Sequence, residues 1–180
     1  MFHVSCSMTL IIGLGNPEEK HKNNRHNSGF IIIDELRKNW GFPDFEFSKK
    51  FNSEISEGNH EREKTVLAKP QTFMNNSGEA VRKIMSFYKL TPEDILVIHD
   101  DLDIDFGKYK ISTDSGPAGH KGVQDIIKKI GTQKFKRFRI GTEGTEKRKT
   151  RTIPGDEFVL QNLSDAELKI IRNLAKEIKA

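Results

Sequence analysis

The chain has 180 residues, 34% hydrophobic and 31% charged, which is the size and composition of one globular domain. No segment approaches the roughly 18 consecutive apolar residues of a membrane helix, and the N-terminus lacks the pattern of a secretory signal. The single cysteine, Cys6, excludes an internal disulfide, and we expect a cytosolic protein.

Charge is distributed unevenly along the chain, whose net charge is +4. Residues 106–152 contain 13 Lys and Arg against 4 Asp and Glu, whereas residues 91–105 contain six acidic residues and no Lys or Arg. A basic surface of this kind suits a polyanion such as a nucleic acid, but an unevenly charged solvated surface produces the same counts. Charge alone leaves both interpretations open.

Hydrophobic periodicity predicts alternating strands and helices. Before residue 90 these are a strand at 9–14, a helix from Asn23 or Asn24 to about Trp40 that Gly41 ends, paired strands at 50–57 and 65–68, and a helix at 76–89. After residue 90 the pattern predicts strands at 95–98 and 108–112, a flexible loop at 116–119 and a helix with an apolar stripe from Val123 to Ile130. A strand at 136–140 then has its basic residues on one face, and a mobile loop follows at 141–156. The last helix begins at the capping box of Ser164 and Glu167.

Because strands and helices interleave, we expect an α/β fold. The pattern predicts a single three-layer α/β domain with a mixed, mostly parallel twisted sheet flanked by helices. Function then depends on which polar residues lie at the ends of its strands.

One candidate site is a dinucleotide-binding turn at Gly13-Leu14-Gly15, which follows the first predicted strand. The third glycine of the G-x-G-x-x-G motif falls on Glu18, where an anion would meet a helix N-terminus. This mismatch makes a dinucleotide-dependent oxidoreductase the weakest of the functional interpretations.

A second candidate is a calcium loop in the acidic segment HDDLDID, residues 99–105. Starting the loop at Asp101 puts Phe106 where glycine is required and Ser112 where glutamate is required, so this interpretation fails. Asp101, Asp103 and Asp105 are then expected to solvate a loop. Asp100 is different, because it would lie at the carboxyl end of a strand, where open α/β sheets place their sites.

A hydrolase built on this sequence would activate water by a general base, since no G-x-S-x-G nucleophile motif occurs. A histidine held by a carboxylate suits that role, because the carboxylate fixes the tautomer and stabilises the imidazolium.

Five segments together carry a family resemblance: LIIGLGNP with RHNSGF, KPQTFMNNSG, ILVIHDDLD, GHKGV and RFRIGT. In this order and spacing, over residues 8–163, they resemble the bacterial-type peptidyl-tRNA hydrolases. The resemblance implies hydrolysis of the ester between a peptide and the 3′ ribose of tRNA, with no cofactor and no metal. The family pattern begins near Met8, so residues 8–180 are expected to form the catalytic domain and residues 1–7 an appended or disordered N-terminus.

The resemblance also implies roles for individual residues. The implied catalytic residues are His26 as general base, Asp100 as its partner and Asn16 as the residue that helps admit N-blocked peptidyl esters. The implied substrate-binding residues are His21, Phe73, Met74, Asn75, His120 (in a mobile loop) and Lys121, and the implied tRNA phosphate contacts are Lys110 and Arg139. The implied partner is the acceptor arm and 3′ end of peptidyl-tRNA, bound by a monomer with no obligatory protein partner.

Three positions depart from the family pattern. His21 replaces a tyrosine, Lys121 replaces an asparagine and Ser112 replaces a basic residue. These changes bear on substrate affinity more than on hydrolysis. The alternative function is a noncatalytic RNA-binding protein on the same scaffold, which would retain tRNA and leave its ester intact.

Overall fold

The computed structural model describes residues 8–179, and the expected N-terminal appendage at residues 1–7 lies outside that range. The strands are β1 (Met8–Gly13), β2 (Glu46–Ser48), β3 (Ser53–His60), β4 (Glu63–Pro70), β5 (Ile95–Asp105), β6 (Tyr109–Ser112) and β7 (Lys136–Glu143). The helices are α1 (Ser28–Asn39), α2 (Ser77–Tyr88), α3 (Lys121–Ile130), α4 (Thr145–Thr150), α5 (Gly155–Phe158) and α6 (Asp165–Asn173). None of the helices in the described range is long and apolar enough to cross a membrane.

The strands form one mixed sheet in the order β2-β3-β4-β1-β5-β7-β6. The four central strands β4, β1, β5 and β7 are parallel to their neighbours, and antiparallel pairs at both edges complete the sheet. This arrangement confirms the predicted α/β class with a mixed sheet.

Helices cover both faces of the sheet, each over its own apolar core. On one face α1 and α6 pack against the sheet through a cluster that includes Ile32, Leu36 and Ile171. On the other face α2 and α3 pack through Val81, Ile84 and Ile126. Each helix therefore buries the apolar stripe that its sequence predicts.

Two glycines bring the N-terminus of α1 against the end of the central strand. A Cβ on Gly13 would lie 2.4 Å from the carbonyl oxygen of Gly29, and a Cβ on Gly29 would lie 2.4 Å from the backbone nitrogen of Leu14. The glycine-rich turn after β1 thus serves close helix–strand packing, which holds the residues before α1 beside the ends of β1 and β5.

The acidic segment after residue 98 differs from its prediction. It continues as strand β5 to Asp105, because β7 pairs with it from Leu96↔Lys136 to Asp101↔Gly141 and again at Asp105↔Glu143. Asp101 does not solvate a loop but is buried, with its carboxylate bonded to Arg139. A polar composition predicted a loop here, but pairing with β7 outweighed it.

One prediction for the basic part of the chain and the residues after it is also wrong. Residues 141–156, predicted to be a mobile loop, contain the end of β7 and two short helices, α4 and α5. Arg137 of β7 is fully buried, and its Nη2 donates to the carbonyls of Ser115 at 2.7 Å and Gly116 at 3.0 Å. The segment between β6 and α3 covers this side of β7, and the hydrogen bonds from Arg137 hold that segment in place.

Candidate active site

The side chains of His26 and Asp100, which are 74 positions apart, meet just past the carboxyl end of β1, beside the middle of β5. His26 Nδ1 lies 2.9 Å from Asp100 Oδ1 and 3.0 Å from Oδ2. The last residue of β1 in register with β5 is Gly13, opposite Ile98, so Asp100 lies just past the end of β1. Asp100 is therefore inside its own strand and not at its end as predicted, but it lies at the carboxyl end of the neighbouring β1, the edge where open α/β sheets place their sites.

Asp100 accepts a second hydrogen bond from another histidine. His120 Nε2 lies 3.1 Å from Asp100 Oδ1, and His120 Nδ1 accepts from the backbone N–H of Val123 at 3.3 Å. His120, which the resemblance places in a mobile loop, is therefore buried as the N-cap of α3, at the end of the loop that follows β6. This network assigns the His120 proton to Nε2 and, because Asp100 accepts from His26 Nδ1, leaves His26 Nε2 as the free basic nitrogen.

The charge of Asp100 governs protonation at the site. Burial alone would lower the pKa of His26, but the charge and hydrogen bond of Asp100 outweigh it, so the pKa of His26 is raised. Burial would raise the pKa of the Asp100 carboxyl, but His26 and His120 outweigh that effect and hold this pKa well below its usual range. Asp100 is thus a permanent anion that strengthens His26 as a base.

A third histidine, His99, lies behind this group. It is fully buried, its Nδ1 donates to the carbonyl of Asp100 at 2.7 Å, and its ring packs edge-on against that of His120. Burial and the neighbouring His120 lower the pKa of His99 well below its usual value. His99 is therefore a neutral packing partner.

The backbone around His26 is fixed by the C-terminal part of the chain. The N–H of His26 donates to the carbonyl of Val159 at 2.8 Å, and the N–H of Arg25 donates to that of Gln161 at 3.0 Å. The buried Arg25 guanidinium binds both carboxylate oxygens of Glu167, at 2.9 and 3.1 Å, and the carbonyl of Thr142 at 2.8 Å. Glu167 also completes the predicted capping box of α6.

Asn16 is held by two neighbouring segments. Its backbone exchanges two hydrogen bonds with the side-chain amide of Asn27, at 3.0 and 2.9 Å. Its side-chain Oδ1 accepts from the N–H of Met74 at 3.0 Å, which leaves its Nδ2 as a donor for another group. Asn16 therefore joins the turn after β1 to the turn that carries Asn75.

A cavity of about 540 Å³ opens over this group of residues. Of the residues singled out by sequence, it is lined by His26, Asp100, Asn16, Phe73, Met74, Asn75, His120 and Lys121. Phe73 and Asn75 are exposed at its surface, whereas Met74 is buried in its floor. These eight positions come from five separate stretches of the chain, so the fold brings them into one site.

Three of the predicted residues do not line this cavity. His21 contacts the side-chain amide of Asn24 at 3.2 Å, to one side of the site. Lys110 and Arg139 face each other across β6 and β7, and Arg139 Nε binds Asp101 Oδ2 at 2.8 Å. Because Asp101 lines the cavity, the Lys110–Arg139 pair lies beyond that wall.

Sequence reasoning missed the residues that build the far wall and the support of the site. The far wall consists of Leu102, Gly155, Asp156, Val159 and Leu160, and the support consists of Arg25 and Asn27. The sequence did contain one signal for the support residues, because Arg25 and Asn27 are the direct neighbours of His26. Val159 contributes a backbone carbonyl, which any residue type can supply.

The residues with metal-ligand chemistry in the described range are His26, Asp100 and His120, whose ligand atoms lie within 4.8 Å of one another. His26 Nδ1 and His120 Nε2 each hold a proton in a hydrogen bond to Asp100, so a metal ion could bind there only by displacing both protons. The hydrogen-bonded arrangement itself suits proton transfer.

Comparison with known proteins identifies the family. The family model for peptidyl-tRNA hydrolase matches residues 10–180. The chain is 42% identical over 163 residues to a peptidyl-tRNA hydrolase of Brevibacillus brevis, covering 89% of this chain and 82% of that protein. It is 40% identical over 176 residues to that of a Thermoanaerobacter species, covering 92% and 94%. The crystal structure of peptidyl-tRNA hydrolase from Acinetobacter baumannii superposes with a TM-score of 0.82 at 32% identity, over 95% of this chain and 84% of that one. The chain therefore belongs to the peptidyl-tRNA hydrolase family.

Proposed function

We propose that this chain hydrolyses the ester bond between a peptide and the 3′ ribose of tRNA, with His26 as the general base that activates water. The observation that carries the proposal is the contact of 2.9 Å between His26 Nδ1 and Asp100 Oδ1, at the edge of the cavity. This contact occupies one ring nitrogen and leaves Nε2 to take a proton from water.

The reaction proceeds by addition and elimination. Water gives a proton to His26 Nε2 as its oxygen attacks the ester carbonyl, and Asp100 stabilises the resulting imidazolium. The bond to the ribose 3′ oxygen then breaks, and the imidazolium returns its proton to that oxygen. The free acid of the peptide and the intact tRNA are the products.

Side-chain amides are suited to stabilise the negative charge on the carbonyl oxygen. Asn16 is oriented by the N–H of Met74 so that its Nδ2 is free to donate, and the exposed Asn75 has no hydrogen-bond partner within residues 8–179. Such donors act most strongly when they are fixed before the reaction, as the bonds to Asn16 achieve. We therefore assign Asn16 and Asn75 to the ester and its peptide.

The remaining assignments concern the substrate around the ester. Phe73, Met74 and His120 would border the terminal nucleoside or the peptide, and His21 would contribute from outside the cavity. Lys110 and Arg139 would contact phosphates of the acceptor arm, which positions the tRNA without reading its bases. We propose further that the chain acts as a monomer without an obligatory protein partner, on a product of translation in the cytoplasm.

A single-turnover assay with a purified N-acetyl-aminoacyl-tRNA tests the proposal. The wild-type chain should release the N-acetyl amino acid, and His26→Ala should lose roughly 10²- to 10⁴-fold in rate, the usual contribution of a general base. The matched control is His60→Ala, since His60 stacks on Trp40 away from the cavity. Wild-type protein that retains tRNA on a filter but leaves the ester intact would instead indicate a noncatalytic RNA-binding protein.

A further inference from the structure

Lys121 is the one lysine or arginine among the described residues that line the cavity. It begins α3 directly after His120, and its side chain is exposed. Within residues 8–179 that side chain forms no hydrogen bond and no ion pair. The cavity therefore contains a lysine whose charge is available to a ligand.

The carboxylates of the cavity do not neutralise this charge. Asp100 is bonded to His26 and His120, and Asp101 is bonded to Arg139 and to the N–H of Asp103. The remaining one, Asp156, lies on α5 and forms no ion pair with Lys121. The charge of Lys121 nevertheless reaches the base, since it acts to lower the pKa of His26.

The position of Lys121 connects the cavity with the Lys110–Arg139 pair on β6 and β7, which forms the basic face of the sheet. The segment from Ser112 to His120 leads from β6 to α3, and the buried Arg137 fixes it through the carbonyls of Ser115 and Gly116. Lys110 lies at the β6 end of this segment and Lys121 at its α3 end. An RNA strand that contacts Lys110 and ends at His26 would pass this fixed segment and meet Lys121 last.

We propose that Lys121 contacts the phosphate that joins the last two nucleotides of the substrate's RNA, and so selects esters that carry a nucleic-acid chain. This inference rests on the proposed function, because it takes the terminal ribose to lie at His26. The anionic group nearest to that ribose is its own 5′ phosphate, and an ammonium group offers three donors to it. A single phosphate contact of this kind fits a substrate shared by many tRNAs, because every 3′ end presents it.

Two esters of the same N-acetylated amino acid separate this role from others. One is esterified to the trinucleotide CCA, which contains the phosphate, and the other to adenosine, which has none. Lys121→Gln should raise the KM for the CCA ester roughly 10-fold, the size of one charge-assisted hydrogen bond, with kcat changed less. Measured on the pH plateau of each variant, the rise in KM should be absent for the adenosine ester, and Lys121→Arg should retain most of the affinity for the CCA ester.

Lys128→Gln is the matched control, since Lys128 is exposed on the same helix and does not line the cavity. Equal losses on both esters for Lys121→Gln would overturn the inference, because the lysine would then act on the nucleoside or the ester. No loss on either ester would overturn it as well, leaving a solvated lysine. Wild-type protein that cleaves neither ester, nor the N-acetyl-aminoacyl-tRNA, would instead defeat the proposed function.

Salt provides a second measurement. The KM for the CCA ester should rise with potassium chloride, and the slope of log KM against log salt should fall by about 0.7 in Lys121→Gln, as expected for one contact to single-stranded RNA. An unchanged slope beside a raised KM would contradict a phosphate contact.

Discussion

Asp100 of the active site lies on β5, and Arg139 of the basic face lies on the neighbouring β7. The side chains of the two regions are held in different ways. Asp100 is buried and its carboxylate binds two histidines, so the geometry around His26 is set by short internal hydrogen bonds. On the basic face, within residues 8–179, the side chain of Lys110 is exposed without a partner, and that of Arg139 contacts only Asp101. The comparison indicates that the chain fixes its chemistry before the substrate arrives, whereas the RNA contacts remain to be completed by the substrate.

If the buried contact sets the chemistry, the largest effect after loss of His26 itself should come from Asp100→Asn. The amide keeps the size of the side chain but loses the charge that raises the pKa of His26, and it can favour the wrong tautomer. We expect roughly 10²-fold or more loss in the single-turnover rate, with little change in tRNA affinity on a filter. Equal losses of rate and affinity would point to a folding role for Asp100.

The second prediction concerns the support beneath the site. Arg25→Met removes a buried guanidinium that binds the partly buried Glu167 and the carbonyl of Thr142, and leaving such groups without their partner costs about 1–3 kcal/mol in free energy of unfolding. Urea unfolding should show this loss, and the rate should fall in the fully folded protein because the backbone of His26 is less fixed. The control is Lys147→Met, whose exposed ammonium lies 3.9 Å from the same Glu167. Similar destabilisation by both variants would contradict a special role for Arg25.

The pH dependence of the reaction should follow His26. Only the neutral imidazole accepts a proton, and the pKa of His26 is raised, so kcat/KM should rise with pH and reach half of its plateau above about 6.5, the ordinary histidine value. Removing the charge of Lys121 should move that midpoint to higher pH, since this lysine acts to lower the pKa. A profile that is flat between pH 5.5 and 8, in rough terms the range where histidines titrate, would contradict a histidine base.

The smallest effect should come from the basic face. Lys110→Gln removes one exposed cation, so the KM for tRNA substrates should rise about 3-fold, and its salt slope should fall by about 0.9 if the contact is to duplex phosphate. The CCA trinucleotide ester, which lacks the acceptor stem, should be cleaved as by the wild type. A rise in KM of the same size for the trinucleotide ester would indicate that Lys110 contacts the 3′ end and not the acceptor arm.

The sequence predicted the parts of this molecule that depend on local patterns. Buried stripes such as Val81 to Met85 form helices on local spacing, and the polar residues after β1 lie at its carboxyl end as predicted, beside Asp100 of the longer strand β5. The meeting of His26 with Asp100 followed from the family resemblance and not from composition or spacing. Their catalytic roles stay predictions that the variants above would test.

The remaining features depend on contacts that leave little trace in the sequence. Asp101 remains in a strand because Gly141 lets β7 approach, where a Cβ would lie 2.0 Å from the carbonyl oxygen of Asp105. The bond from His26 to Val159 uses only backbone atoms, so no residue type marks it. Arg25 and Glu167 each fit a local interpretation, a surface charge and a helix cap, and only the fold pairs them.

The pairing of Arg25 with Glu167 spans 142 positions of the chain, which has a consequence for biosynthesis. The turn that carries His26 leaves the ribosome early, but its anchors at Val159, Gln161 and Glu167 are translated close to the end. A nascent chain halted before those residues could form much of the sheet but would lack the contacts that hold the backbone of His26. Full activity should therefore appear late in synthesis, once these residues have emerged.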